Sequence, residues 1–325
     1  MIESGPVLVV GGTGMLGSQV VSRLLAEGKQ VRALVRPGSD ASRLEQLGAT
    51  IARGDMMDPE SLAHAMDGVD AVITSAAGYT HHREGDTPVT DTVGNINLVD
   101  AASRAGIRRF VLTSILTCDQ TPDVSHFWHK KLTEDRLEEL GVPFVALRPG
   151  AFLEQIARYG DPFSEGRLMW FGSSSVPLTY VLASDLAGYL AAAVDASDVE
   201  GQRIDIGWDR PVTMQDIADI SSRMLGRQIE LVLNPMSPSN PMAKDLGAMI
   251  DWFGTGRYVA DTSRQREVFG PPPTAEDAVG RLLTSLGHKL TKKRPTAAAW
   301  RGLLTRVSPR PAARRGCAVW HCLRR

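Results

Sequence analysis

The chain is poor in cysteine. Its three, Cys118, Cys317 and Cys322 among 325 residues, form neither the even set of a secreted disulfide framework nor a pair of CxxC knuckles. A disulfide scaffold is therefore excluded, no metal site is expected, and a reducing cytoplasm is the natural compartment. No apolar run approaches the ~20 residues needed to cross a bilayer. The segment from Met1 shows no basic n-region or cleavage pattern, so a cytoplasmic protein without membrane attachment is expected. Aromatic residues make up only 6%, but the hydrophobic share of 43% suffices for one large α/β domain or two coupled lobes. Acid is absent from residues 291–325, which hold ten Lys or Arg, so the formal charge of -1 hides a body of 26 basic and 37 acidic groups, or -11. That final stretch has neither helical nor strand period, and it reads as a disordered basic appendage or an altered reading frame rather than an element for nucleic acid or anionic lipid.

What is present is an alternation of short apolar runs and amphipathic stretches. Val7 to Val10 is the first run and leads directly into Gly11-Gly12-Thr13-Gly14-Met15-Leu16-Gly17. Leu16, Val20 and Leu24 then repeat at helical spacing until Gly28. Further runs follow at Gln30 to Val35, Ala49 to Ala52, Ala71 to Thr74, Arg109 to Thr113 and Pro143 to Leu147. Strands alternating with helices predict a Rossmann-type, doubly wound parallel sheet of α/β class over residues 1–150. The rhythm changes after Arg148-Pro149-Gly150, which predicts a smaller substrate lobe over 151–290. In that lobe Thr213 and Gly226 bracket a helix, and the Pro, Ser and Asn cluster from Met236 to Pro241 suggests a mobile lid.

A glycine-rich turn placed between strand and helix is the context of a dinucleotide site. Gly11 and Gly14 permit a tight turn against a pyrophosphate, Gly17 permits close packing of helix on strand, and the helix start offers N-H donors. Thr13, Met15 and Leu16 complete the predicted phosphate contact. The second strand ends in Arg36, where NAD-specific folds carry an acid for the ribose 2'-hydroxyl. A guanidinium suits the 2'-phosphate of NADP(H) instead, with Arg32 and Ser39 as candidate helpers. Asp55 and Met56 after the third strand and Ser75, Ala76 and Ala77 after the fourth continue the path along the carboxyl ends of the strands.

These pieces, with the strand Val31 to Arg36, the pair Lys130 and Glu134, and Leu147-Arg148-Pro149-Gly150, resemble the NmrA-like group of atypical short-chain dehydrogenase/reductases. The resemblance covers about residues 5–288. It implies NADP(H) as cofactor, and its narrower form points to bacterial ketoreductases of aromatic polyketides, including the angucyclinone ketoreductases, and so to antibiotic biosynthesis. The usual Ser, Tyr and Lys of that superfamily are only partly present: Lys130 fits the lysine, His126 stands at the tyrosine position, and the serine position falls near Ile115, flanked by Ser114 and Thr117. Hydride transfer to a ketone develops an alkoxide that needs a proton. The candidate donors are His126, whose ordinary pKa is near ~6.5, Tyr79, His81 and His82, Ser114, water, or a phenol of the substrate itself. Phe152, Leu153, Trp170 and Phe171, with Tyr79 and His81, are the candidate wall for a hydrophobic carbonyl compound. The resemblance also admits a non-catalytic NADP(H)-sensing binding protein, and either a monomer or a dimer.

Overall fold

A computed structural model of the chain describes residues 5–78, 87–233 and 243–291. Seven of its strands make one sheet: β1 (Val7–Val10), β2 (Val31–Val35), β3 (Thr50–Arg53), β4 (Ala71–Thr74), β5 (Arg109–Thr113), β6 (Phe144–Pro149) and β10 (Gln202–Ile206). Their order is β10-β6-β5-β4-β1-β2-β3, with every neighbouring pair parallel. The order reverses between β1 and β4, and such a switch point leaves a crevice outside the carboxyl ends of the strands. All four residues of β1 are buried, as expected of a strand covered on both faces.

Alternate strand residues feed two cores. On one face Val7, Val9, Ala33, Ile73 and Val111 pack with Val20, Val21 and Leu24 of α1 (Met15–Ala26) and Leu186 and Leu190 of α6 (Ala183–Ala192). On the other, Leu8, Val10, Val72, Phe110 and Leu112 meet α3 (Pro59–Met66), α4 (Asn95–Ala105) and α5 (Ser125–Glu139) through Leu62, Leu98 and Leu137. Helices α1, α3 and α6 thus carry apolar stripes matched to the pleat of the sheet.

The doubly wound sheet expected from the strand rhythm is present, with boundaries shifted by one or two residues. The sheet's last strand was not foreseen. β10 reads Gln-Arg-Ile-Asp-Ile and buries fully only Ile204 and Ile206, so this edge strand carries a weak apolar signal. Residues 183–206 therefore return to the cofactor-type sheet after the first excursion beyond residue 150. A third core lies among residues 116–283, where Leu153, Phe163, Leu168, Tyr180 and Trp208 pack with Ile217 of α7 (Met214–Leu225) and Leu283 of α10 (Ala275–Ser285). The predicted ends of α7 are in place: Thr213 and Asp216 form a capping box, and Gly226 closes the helix at φ 68°. The expected lid from Met236 to Pro241 and the basic stretch from residue 292 lie outside the described residues. Among the described residues no helix is long and apolar enough to cross a membrane.

Candidate functional site

The turn after β1 is shaped by two glycines. Gly11 has φ 84°, and a Cβ there would lie 2.8 Å from Ser75 Oγ and 2.9 Å from the Ala76 nitrogen. A Cβ on Gly17 would lie 2.1 Å from the Gly11 carbonyl oxygen, closer than any contact allows. Backbone thus fills the space, and the start of α1 is drawn against the strand. Thr13, Gly14 and Met15 remain exposed, and the N-cap Gly14 offers no side chain to occupy the first amides of α1. Exposed amides at a helix start, beside backbone that tolerates no Cβ, fit a dinucleotide pyrophosphate.

The carboxyl end of β2 carries Arg36, exposed at the tip of the strand. Arg32 does not join it. Its guanidinium donates to the carbonyls of Ala65 and Asp67 at 2.8 and 2.7 Å, where it caps the end of α3. Arg53, overlooked in the sequence, lies beside Arg36 instead: β2 and β3 pair Val35 with Arg53. Ser39 closes the intervening turn by donating its backbone N-H to the Arg36 carbonyl at 3.1 Å. Asp55 is half-buried, and its Oδ1 accepts from the backbone of Met57 at 2.9 Å. Met56 packs at the edge of the α3–α4 core, and its carbonyl accepts from Asn97 at 3.0 Å.

Ser75 is tied to β1, its backbone N-H donating to the Val10 carbonyl at 2.9 Å, and Ala76 and Ala77 follow as half-buried small residues. Lys130 meets this segment. It is only 4% exposed, donates to the Ala76 carbonyl at 2.8 Å, and places Nζ 3.2 Å from Asp91 Oδ1. Asp91 was not singled out in the sequence because no motif marks it. It lies on a π-helical stretch, Thr87–Gly94, the kind of irregular turn found frequently at functional sites. Its other oxygen accepts from the Gly78 backbone at 3.0 Å, and Asn95 donates to the carbonyls of Thr90 and Asp91. One buried ion pair therefore joins α5, the π-helical stretch and the loop after β4.

The other expected catalytic groups stand differently. Ser114 is buried and donates to Glu134 Oε1 at 2.5 Å. Glu134 also receives Arg148 (3.0 and 2.6 Å) and Arg203 (2.9 Å), so the Ser114 hydroxyl belongs to a structural network rather than to an open site. Cys118 touches the same carboxylate at 3.6 Å, and burial pushes its thiol up to about 12. His126 is 6% exposed, and burial, with Lys130 and His129 nearby, pushes it down to about 3. Burial thus works against the imidazolium donor expected from its ordinary value. Tyr79, His81 and His82 lie outside the described residues. On the substrate side Leu153 is fully buried in the third core, a packing residue rather than a wall. Phe152 and Trp170 are half-buried, and Phe171 is exposed. Trp170 lines a small cleft with Val176, Leu178 and Phe253.

The His126 environment predicts a stability effect with a definite sign. Above pH ~6.5 folded and unfolded rings are both neutral, and between ~6.5 and 3 only the unfolded state takes the proton, so stability falls as pH drops. His126→Phe should flatten the loss between pH 7 and 4, a difference on the order of a few kcal/mol in urea unfolding. Asp205, raised to about 6 by burial, acts in the opposite direction but is common to both proteins. Identical slopes for the two proteins would show that His126 is not held neutral.

Comparison with known proteins finds similarity both to reductases and to assembly factors. The model of the NmrA-like family matches residues 3–276. The chain is 31% identical over 301 residues to the photosystem II assembly factor Ycf39 of Synechocystis sp., covering 88% of this chain and 92% of that protein. It is 29% identical over 230 residues to the NAD(P)H azoreductase of Xenophilus azovorans, covering 70% and 76%. Among solved structures it is similar to an NADPH-dependent quinone oxidoreductase of Escherichia coli complexed with NADPH, with TM-score 0.69, 21% identity and coverage of 85% and 99%.

Proposed function

The chain belongs to the NmrA-like family, and from that premise we propose that it is an NADP(H)-dependent reductase of flat, conjugated acceptors of the quinone class. One observation carries the acceptor class: among the described residues Lys130 is seated beside the cofactor path, while Ser114 is committed to Glu134 and His126 is held neutral. When bound, the nicotinamide supplies a hydride. An isolated ketone then develops a localised alkoxide and needs an acid in the transition state. A quinone spreads the charge over its ring and ends as a phenolate, with a pKa near ~10, which water can protonate. A site whose described residues commit Ser114 to a carboxylate and bury His126, with a lysine nearby, suits the second acceptor.

In this reading the amides at the start of α1 hold the pyrophosphate and Arg36 holds the 2'-phosphate. Lys130 holds the ribose and adds positive charge near the developing anion. The azoreductase relative and the quinone oxidoreductase likeness support the reading. Neither supports a polyketide ketoreductase, and the acceptor is accordingly stated more broadly than the sequence suggested. Residues 1–150 supply most of the cofactor site and 151–290 the acceptor side, in a soluble cytoplasmic protein acting on a small hydrophobic molecule.

A second reading has its own observation. The assembly-factor relative is matched over 92% of its length, which supports the alternative in which the chain works as a binding protein. Incubation with NADPH and menadione or cyclohexanone separates the two. The reductase reading expects menadione-dependent loss of absorbance at ~340 nm, nearly level from pH 6 to 8 because burial holds His126 below that range, and no reaction with cyclohexanone. If NADPH binds but no acceptor is reduced above the protein-free rate, the binding-protein reading replaces it.

A further inference from the structure

The end of β2 carries the group expected to meet a 2'-phosphate, but a side chain at a strand tip is only as well placed as its backbone. The turn from Arg36 to Ser39 is short, runs over the surface and contains Gly38 at φ 79°. Within it a single bond, from the Ser39 nitrogen to the Arg36 carbonyl, closes the chain. A second support comes from outside. Arg53 Nη1 donates to the Ser39 carbonyl at 2.7 Å and to the Arg36 carbonyl at 3.3 Å, gripping both ends of the turn. The register pairing Val35 with Arg53 puts it there, and the Gly54 nitrogen, donating to the Val35 carbonyl at 3.1 Å, fixes the adjoining chain.

Charge adds to geometry. Asp40 follows the same turn, and its hydrogen bonds from the Ser42 side chain and backbone, with Arg53 close by, hold its carboxyl below the ordinary range. Arg53 thus faces the ionised Asp40 carboxylate as well as the two carbonyls, which further fixes its guanidinium over the turn. Arg36 itself makes no side-chain hydrogen bond or ion pair to another described residue, which leaves its guanidinium available.

We propose that Arg53 is a positioning residue for cofactor choice: by holding the Arg36–Ser39 turn it presents Arg36 to the 2'-phosphate, and so favours NADPH over NADH. The inference rests on the NADP(H) reading above. NADH lacks the phosphate, so loss of Arg53 should be felt by one dinucleotide and not the other. Because Arg53 acts through Arg36, its loss should also have no further effect once Arg36 is gone.

The test is a double-substitution cycle on the full chain, with NADPH and NADH binding measured by calorimetry at low salt. Wild-type protein that bound neither dinucleotide would sink the cofactor reading itself, and the Arg53 assignment with it. Given wild-type NADPH binding, Arg36→Ala is expected to weaken NADPH about 30-fold and Arg53→Ala about 10-fold, with NADH changed less than about twofold in each. The pair Arg36→Ala/Arg53→Ala should bind NADPH no more weakly than Arg36→Ala alone. Arg53→Lys, which can still donate to both carbonyls, should recover most of the loss. Should Arg53→Ala not fold, Arg53→Gln, whose one amide cannot grip both carbonyls with charge, carries the same expectation at about threefold. Equal losses for both dinucleotides, additive losses in the pair, or unchanged NADPH binding would each overturn the proposal.

Discussion

Lys130→Met should lower stability by about 3 kcal/mol, because it leaves the Asp91 carboxylate buried without its cation. The same change should weaken NADPH binding at least tenfold, on the order of 1.4 kcal/mol or more. The two losses have different origins and can be separated. Asp91 is 1% exposed, so most of the stability loss is the desolvation of an unpaired charge. Lys130→Met combined with Asp91→Asn removes that charge while keeping an oxygen for the Gly78 amide. Denaturant unfolding should show the double variant regaining most of the lost stability, and calorimetry should show NADPH affinity still reduced. If affinity returned with stability, Lys130 would be a strut for the loop after β4 and would have no part in holding the ribose.

Glu134→Ala should be the most damaging single change among the residues discussed, at about 3–5 kcal/mol and a fall in Tm of roughly 5–8 °C for a domain of this size. Glu134 is fully buried and accepts from Ser114, Arg148 and Arg203, and Arg148 in turn reaches Asp119 at 2.9 Å. Its removal takes the buried partner from two guanidinium groups, leaving, among the described residues, Arg148 only Asp119 and Arg203 only Glu138 as carboxylate partners. Glu134→Gln should fall between, since its amide nitrogen would face the donors of Arg148 and Arg203. Ser114→Ala removes only one bond of the network and should cost about 1–2 kcal/mol. Its quinone turnover should stay within a few-fold of wild type, as expected if the hydroxyl faces Glu134 and not the acceptor. Turnover abolished in a stably folded Ser114→Ala protein would return Ser114 to the chemistry.

These two residues also show where sequence reading reaches its limit. Lys130 and Glu134 are one helical turn apart on α5, and the spacing alone places them on neighbouring parts of one face. It does not say that Lys130 turns toward the loop after β4 while Glu134 turns toward β6 and β10. That depends on Asp91, Arg148 and Arg203, which lie 39, 18 and 73 positions from Lys130 by the numbering and meet it or its neighbour only after folding. Arg32 and Arg53 make the same point. Both are strand arginines near the phosphate-binding region in sequence, but one points to the carbonyl end of α3 and the other grips the Arg36 turn.

The layered fold and the glycine turn at its edge were legible in the order of residues alone, because both rest on local rules. Four-residue apolar runs followed by amphipathic helices dictate a parallel sheet, and glycines at 11 and 17 are required wherever backbone must pass within a methyl's width of backbone. The surroundings of the polar groups, by contrast, emerge from packing. Ser114 and His126 sit at sequence positions suited to catalysis, but packing buries them, and burial fixes the hydroxyl on a carboxylate and disfavours the charged form of the imidazole. Desolvation is a property of everything that surrounds a side chain, and those surroundings are assembled from distant parts of the chain.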